Sequence, residues 1–287
     1  MTATTPLPGP TERLKVGIFS LTGCAGDQLA ILNDTDVLLG LASRVDICSF
    51  IMASSHEASC QEVGMLDLAI VEGSVCSEAE VERLKKWREH SKKLMALGTC
   101  AVWGGLPAMN AQAVPLAQLK QEVYGDETVF PDAREAKPLS AFVQVDYAVT
   151  GCPIEIEEFA EVISALLNGV EPRRPDQSVC SECRMAENRC LVQHQNRVCC
   201  GPITVAGCKA RCVSYGQACY GCRGPVEDPA YDATVQLFSE HGLDKEQVIQ
   251  QIRRYTAPAW VENRLTSHYQ DPRHMGLGQK PVEESKS

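Results

Sequence analysis

Leu14-Lys-Val-Gly-Ile-Phe19 runs straight into Ser20-Leu-Thr-Gly-Cys-Ala-Gly-Asp27, and this junction decides the fold. The first segment is apolar enough for a strand buried on both faces, and the second is a glycine-containing loop. A helical pattern follows, with Leu29, Ile31, Leu32, Val37 and Leu38 at its apolar positions. The same strand-to-loop step recurs downstream. Strands are expected at Val45–Ile51, Leu66–Val71, Leu94–Leu97 and Val143–Val149. Ser77-Glu-Ala-Glu80 reads as a capping box opening a helix to about His90. Another helix is expected from Glu155, with Phe159, Val162, Ile163, Leu166 and Leu167 apolar and Asn168-Gly169 closing it.

Strands alternating with helices imply an α/β fold, a flavodoxin-like doubly wound parallel sheet. Such sheets bind ligands in the loops at the carboxyl ends of their strands. Cys24, Cys100 and Cys152 each lie a few residues past an expected strand end. The topology therefore gathers them on one edge.

Beyond the sheet, eight cysteines run Cys180-x2-Cys183-x6-Cys190-x8-Cys199-x8-Cys208-x3-Cys212-x6-Cys219-x2-Cys222, with Cys200 directly after Cys199. Eight thiolates suffice for two four-iron clusters. Large apolar residues are sparse between Ser178 and Pro225, so cluster ligation is expected to hold this stretch together. Cys-x2-Cys pairs also suit structural zinc, the rival reading. Four units are expected: a Pro/Thr-rich leader at 1–12, the sheet domain at 13–170, a two-cluster iron–sulfur domain at 171–228 and a helical tail at 229–287.

The chain has 287 residues, 44% hydrophobic and 22% charged, with a net charge of −10. An acidic chain without a basic run is a poor nucleic-acid binder. No apolar run reaches the ~20 residues that span a bilayer. Fifteen cysteines with no visible export signal suggest thiolates kept for metal in the cytoplasm rather than extracellular disulfides. Gly-x-x-x-x-Gly-Lys and Gly-x-Gly-x-x-Gly are both absent, so no nucleotide site is expected on this chain.

Gly98-Thr-Cys-Ala-Val-Trp-Gly-Gly105 and Gly151-Cys-Pro153 resemble the two downstream proximal-cluster motifs of nickel–iron hydrogenase small subunits. Cys199-Cys-Gly-Pro-x-Thr-x3-Gly-Cys208 and Ala218-Cys-Tyr-Gly-Cys222 resemble that family's distal and medial cluster motifs. The likeness runs from about Leu14 to about Tyr255. Within the family the chain most resembles cytoplasmic NAD(P)-linked sulfhydrogenases, on its four-cysteine second and third sets and its tail Leu237–Ile249. A relative feeding a heterodisulfide reductase or deazaflavin-linked complex is the close alternative. A subunit of a quinone-reducing complex shares the sheet but not the eight-cysteine region.

The resemblance implies three [4Fe-4S] clusters. Cys24, Cys100 and Cys152 would hold the proximal one. Cys180, Cys183, Cys190 and Cys199 would hold the distal one, with Cys200 an alternative to Cys199. Cys208, Cys212, Cys219 and Cys222 would hold the medial one. Asp27 stands where the family usually has a fourth proximal cysteine, and is either a ligand or a first-turn helix residue; Cys76 is another substitute. Glu72 is either a buried proton-relay carboxylate or a cap of the loop at Gly73. The implied partners are a large subunit carrying the nickel–iron centre and flavin/iron–sulfur NAD(P) reductase subunits. This chain would then be a wire with no catalytic residue of its own. Of the remaining cysteines, Cys48 is expected in the core, and Cys60 has no assigned role.

Overall fold

The computed structural model describes residues 13–54, 64–109, 114–243, 250–251 and 253–255. The leader, Cys60, and the tail positions Val248, Ile249 and Ile252 lie outside the described residues. Five parallel strands form the main sheet: β1 (Leu14–Ser20), β2 (Val45–Phe50), β3 (Leu66–Glu72), β5 (Ser91–Leu97) and β7 (Tyr147–Val149). Their spatial order is β2-β1-β3-β5-β7. It reverses between β1 and β3, the flavodoxin-like switch point beside which ligands of such sheets bind. β4 (Val75–Ser77) and β6 (Ala133–Lys137) pair antiparallel in a separate ribbon, which sequence reading does not reveal.

Both faces of the sheet are covered. Helices α1 (Gly26–Asn33), α2 (Thr35–Arg44) and α6 (Ile156–Leu167) bury Ile31, Leu41, Phe159, Val162 and Leu166 against Val16, Ile18, Leu68 and Ile70. On the other face, α3 (Glu78–Glu89) sets Val81, Leu84 and Trp87 against Phe19, Ala69 and Val71. The Phe19 and Trp87 rings stack at 4.6 Å. Every residue of β3 is buried, as a central parallel strand requires.

Several boundaries differ from expectation for local reasons. The single helix expected after β1 is two, because the Asp34 side chain accepts from Val37 N at 2.9 Å and starts a new one. Only half of the expected capping box forms. Ser77 Oγ accepts from Glu80 N at 3.2 Å, but Glu80 itself accepts from Cys76 N at 2.7 Å and from Thr22 Oγ1 at 2.8 Å. The fifth strand shrinks to Tyr147–Val149, because Asp146 leaves the strand pattern and its carboxylate meets Lys93 and Leu94 N. Cys48 sits half-buried on the edge strand β2 rather than in the core.

The cysteine-rich region is built of short helices: α4 (Gly98–Trp103) leads toward it, α7 is Val179–Met185, α8 Leu191–Gln195 and α9 Arg211–Ser214. Helix α5 (Leu116–Tyr124) lies in the sheet domain and buries no residue. The region has a core after all, and that core is partly borrowed. Val179, Leu191, Val192, Ile203 and Val213 pack with Trp103 of α4 and Phe238 of α10 (Tyr231–Glu240). Among the described residues no helix is long and apolar enough to cross a membrane.

Candidate metal centres

The carboxyl ends of β1, β3, β5 and β7 deliver Cys24, Glu72, Cys100 and Cys152 to one edge of the sheet. Asp27 joins them from the first turn of α1. Its side chain does not serve its own helix. Oδ1 accepts from Ile154 N at 2.8 Å, just past Cys152, and the residue is only 6% exposed. Gly98 makes that position available. Its φ is 78°, and a Cβ there would lie 1.7 Å from Asp27 Oδ2. Burial, reinforced by the charge of Glu72, raises the Asp27 carboxyl to about 7. Burial followed by the Asp27 and Cys24 charges raises the Cys100 thiol to about 11, and burial with Asp27 and Cys100 raises Cys152 to about 11. Asp27, Cys100 and Cys152 therefore lie close enough for their charges to interact. The Cys152–Pro153 peptide is cis.

Glu72 does not cap the Gly73 loop. It accepts from Gln28 Nε2 at 2.7 Å and Asp27 N at 3.3 Å, and its burial raises its carboxyl above the ordinary range. Cys76 stays with Ser74 and Glu80 in the neighbouring loop.

The second set is Cys180, Cys183, Cys190 and Cys199. Burial, then the charges of Cys199, Cys183 and Cys190, push Cys180 up to about 12. Gly201 lies against two of these thiols; a Cβ there would stand 3.3 Å from Cys180 Sγ and 3.6 Å from Cys199 Sγ. Cys200 is 1% exposed in the protein interior, and its Sγ lies beside Gly221, where a Cβ would stand 3.8 Å from it. Geometry therefore favours Cys199 as the member of this set.

Cys208, Cys212, Cys219 and Cys222 line one cavity of about 140 Å³, which Cys152 also borders. Burial foremost pushes the Cys222 thiol up to about 12. Cys219 N donates to Cys199 Sγ at 3.3 Å. The second and third sets are thus tied by a hydrogen bond from a cysteine backbone to a cysteine sulfur, and Cys152 of the first set borders the cavity of the third. Thr99 adds a further tie, donating to Gly151 O at 2.7 Å and to Cys222 O.

No disulfide forms among the described cysteines. Among the described residues no three His, Cys, Asp or Glu side chains stand close enough to hold a single ion. Cys208, Cys212, Cys219 and Cys222 instead line a cavity of about 140 Å³, room for a group larger than one ion. Thiols held protonated by burial become good donors once a cation replaces the proton. The residues fit iron–sulfur ligation.

Thr99, Gln28, Glu182 and Arg223 escaped sequence reading, although two carried a signal. Glu182 lies inside Cys180-x-x-Cys183 and Arg223 directly follows Cys222. A charged residue inside a ligand motif is a candidate for acting on the bound group.

Residues 24–166 match the family described as NADH ubiquinone oxidoreductase, 20 Kd subunit. That match ends before the eight-cysteine region. Sulfhydrogenase 2 subunit delta of Pyrococcus furiosus is 34% identical over 84% of this chain and 99% of its own length. One subunit of the F420-non-reducing hydrogenase vhu from Methanocaldococcus jannaschii is 32% identical over 88% and 98%. NAD-reducing hydrogenase HoxS subunit delta of Cupriavidus necator is 30% identical over 55% and 80%. The actinobacterial-type NiFe-hydrogenase structure from Ralstonia eutropha H16 superposes with a TM-score of 0.55 at 17% identity, covering 98% of this chain and 96% of that one; it supports the fold alone. On these matches the chain belongs to the small, iron–sulfur subunits of nickel–iron hydrogenases and works with a large subunit as part of a hydrogenase complex.

Proposed function

We propose that this subunit relays electrons from the nickel–iron site of its large subunit through three [4Fe-4S] clusters to an NAD(P)-reducing partner in the cytoplasm. The proximal cluster would be held by Cys24, Asp27, Cys100 and Cys152. Cys208, Cys212, Cys219 and Cys222 would hold the medial one, and Cys180, Cys183, Cys190 and Cys199 the distal one. Each cluster, when bound, takes up and releases one electron at a potential set by its ligands, hydrogen bonds and burial. The observation that carries the reading is the succession of three donor sets, in which Cys152 borders the cavity lined by Cys208, Cys212, Cys219 and Cys222, and Cys219 N donates to Cys199 Sγ at 3.3 Å.

The protein's own groups do the positioning. Gly26 N donates to Cys24 Sγ at 3.3 Å, and Cys219 N donates to Cys199 Sγ at 3.3 Å. Such donors favour the thiolate and raise the potential of whatever it binds. Asp27 is a harder donor than cysteine and would leave one iron distinct from the others. Cys24 is exposed, which suits a proximal site closed by the large subunit. Glu72, buried beside Gln28 at the end of β3, is the candidate for holding a proton near that site. Expected domain limits are 13–170 for the sheet and 171–228 for the two-cluster part, although Trp103 and Phe238 cross them in the packing.

NAD(P) as acceptor draws support from the Cupriavidus necator relative, whose name states NAD reduction. The Methanocaldococcus jannaschii relative, similar in identity and matched over more of the chain, is named for not reducing F420 and its name states no NAD reduction; it favours the second reading, a hydrogenase feeding a heterodisulfide reductase or a deazaflavin-linked complex, only in its heterodisulfide form. Hydrogen-dependent reduction by the anaerobically purified complex separates the two. Reduction of NAD+ or NADP+ is expected; reduction of neither, with transfer to a disulfide or deazaflavin acceptor, would select the second.

A further inference from the structure

Two charged side chains close on the same loop of the medial set from opposite sides. Glu182 belongs to α7, between two distal-set cysteines, yet its carboxylate serves the medial loop. Oε1 accepts from Gly207 N at 2.8 Å, and Oε2 accepts from Ala210 N at 3.2 Å and stands 3.9 Å from Cys208 Sγ. Arg223 approaches the loop from the proximal side. It donates from Nε to Ala206 O at 2.9 Å, from Nη1 to Thr150 O at 2.8 Å and from Nη2 to Glu158 Oε2 at 2.7 Å. Gly207 lets the loop close on it. Its φ is 119°, and a Cβ there would lie 2.5 Å from Arg223 Nη2.

The Arg223 side chain is 1% exposed and that of its partner Glu158 is 19% exposed. Water therefore reaches the carboxylate and not the guanidinium, which leaves the cation less screened toward the cavity. The other charges at the cavity, Glu155 and Arg211, pair with each other at 2.6 Å.

We infer that Glu182 and Arg223 are opposed positioning charges on the Cys208 side of the medial cluster, Glu182 holding its potential down and Arg223 holding it up. The inference rests on the three-cluster reading above. A fixed negative charge disfavours the added electron and a fixed positive charge favours it. A carboxylate inside the distal motif would thus set the potential of the centre before it, so that the two sites are tuned together.

The test is a redox titration followed by electron paramagnetic resonance on the anaerobically purified complex. Glu182→Gln, which removes the charge and keeps the size, is expected to move the medial wave to higher potential and leave the proximal wave in place. Glu182→Asp keeps the charge and should return the wave toward the wild-type value. The double variant Arg223→Gln/Glu158→Gln should move it lower. A Glu182→Gln complex with full iron and an unmoved medial wave overturns the inference, as does a shift confined to the distal wave. The Glu182 arms decide even if the double variant fails to assemble. A wild-type complex with only two clusters would instead overturn the three-cluster reading, and the inference with it.

Discussion

The sheet domain and the cysteine-rich region solve the same problem with different means. The sheet buries two continuous apolar layers, Val16, Ile18 and Ile70 on one face and Phe19, Leu84 and Leu94 on the other. Burial of that kind is worth roughly 1.5–3 kcal/mol for each large side chain. The cysteine-rich region has short helices, and its core borrows Trp103 from one neighbour and Phe238 from the other. Its own contribution to that core is small: Val179, Leu191, Val192, Ile203 and Val213, packed with the buried Cys199, Cys200 and Cys219. A fold that brings donors together without enough apolar surface depends on what the donors bind.

The largest expected effect follows from that difference. Anaerobic removal of iron from the complex should open the cysteine-rich region while the sheet stays folded. Limited proteolysis would check it: cleavage between 171 and 228 should accelerate at least tenfold, with the sheet fragment surviving. Equal resistance of both regions after iron loss would end the contrast.

The converse change should spare the clusters. Ile70 is fully buried in β3, so Ile70→Ala is expected to cost about 2–5 kcal/mol of sheet stability. Iron bound by the second and third sets should be nearly unchanged in the complex that still assembles. Loss of iron in proportion to the loss of sheet stability would show that the two regions fold as one.

The sheet was the readable part of this sequence. Continuous runs such as Leu66–Val71 carry their burial in their composition, and the three cysteines past strand ends follow from topology. The α1–α2 break at Asp34 was hidden because one apolar pattern runs through both helices. The β4–β6 ribbon was hidden because Val75–Ser77 is too short to show alternation. Cysteine spacing suggests ligand sets, but not which of Cys199 and Cys200 lies beside Cys180; that depends on how the backbone turns at Gly201. The tie from Cys219 N to Cys199 Sγ is a backbone hydrogen bond and leaves no mark in residue type. Glu182 and Arg223 were visible only as charges beside cysteines.

A subtler effect is expected at the joint between sheet and first centre. Asp27→Cys should be tolerated and should move the proximal potential, because thiolate is the softer donor. Asp27→Ala should lose one iron and leave Ile154 N without its acceptor, about 1–3 kcal/mol if it stays buried. Spectra of the reduced complex check this. Identical proximal signals in wild type and both variants would return Asp27 to a purely structural role.

The smallest effect sharpens the comparison at the seam. Lys209 and Glu157 join the two regions at 3.5 Å with side chains 74% and 61% exposed. Such a pair is worth little in water, so Lys209→Ala should leave thermal stability and iron content unchanged within error. A large loss there would mean that exposed charges hold the regions together.

The most direct measurement of the central claim is the metal content of the anaerobically purified complex, with the large subunit's metals counted separately. Three clusters on this subunit predict about twelve irons, four per cluster, with matching acid-labile sulfide. Eight irons or fewer, with zinc in stoichiometric amount at the remaining cysteines, would contradict it.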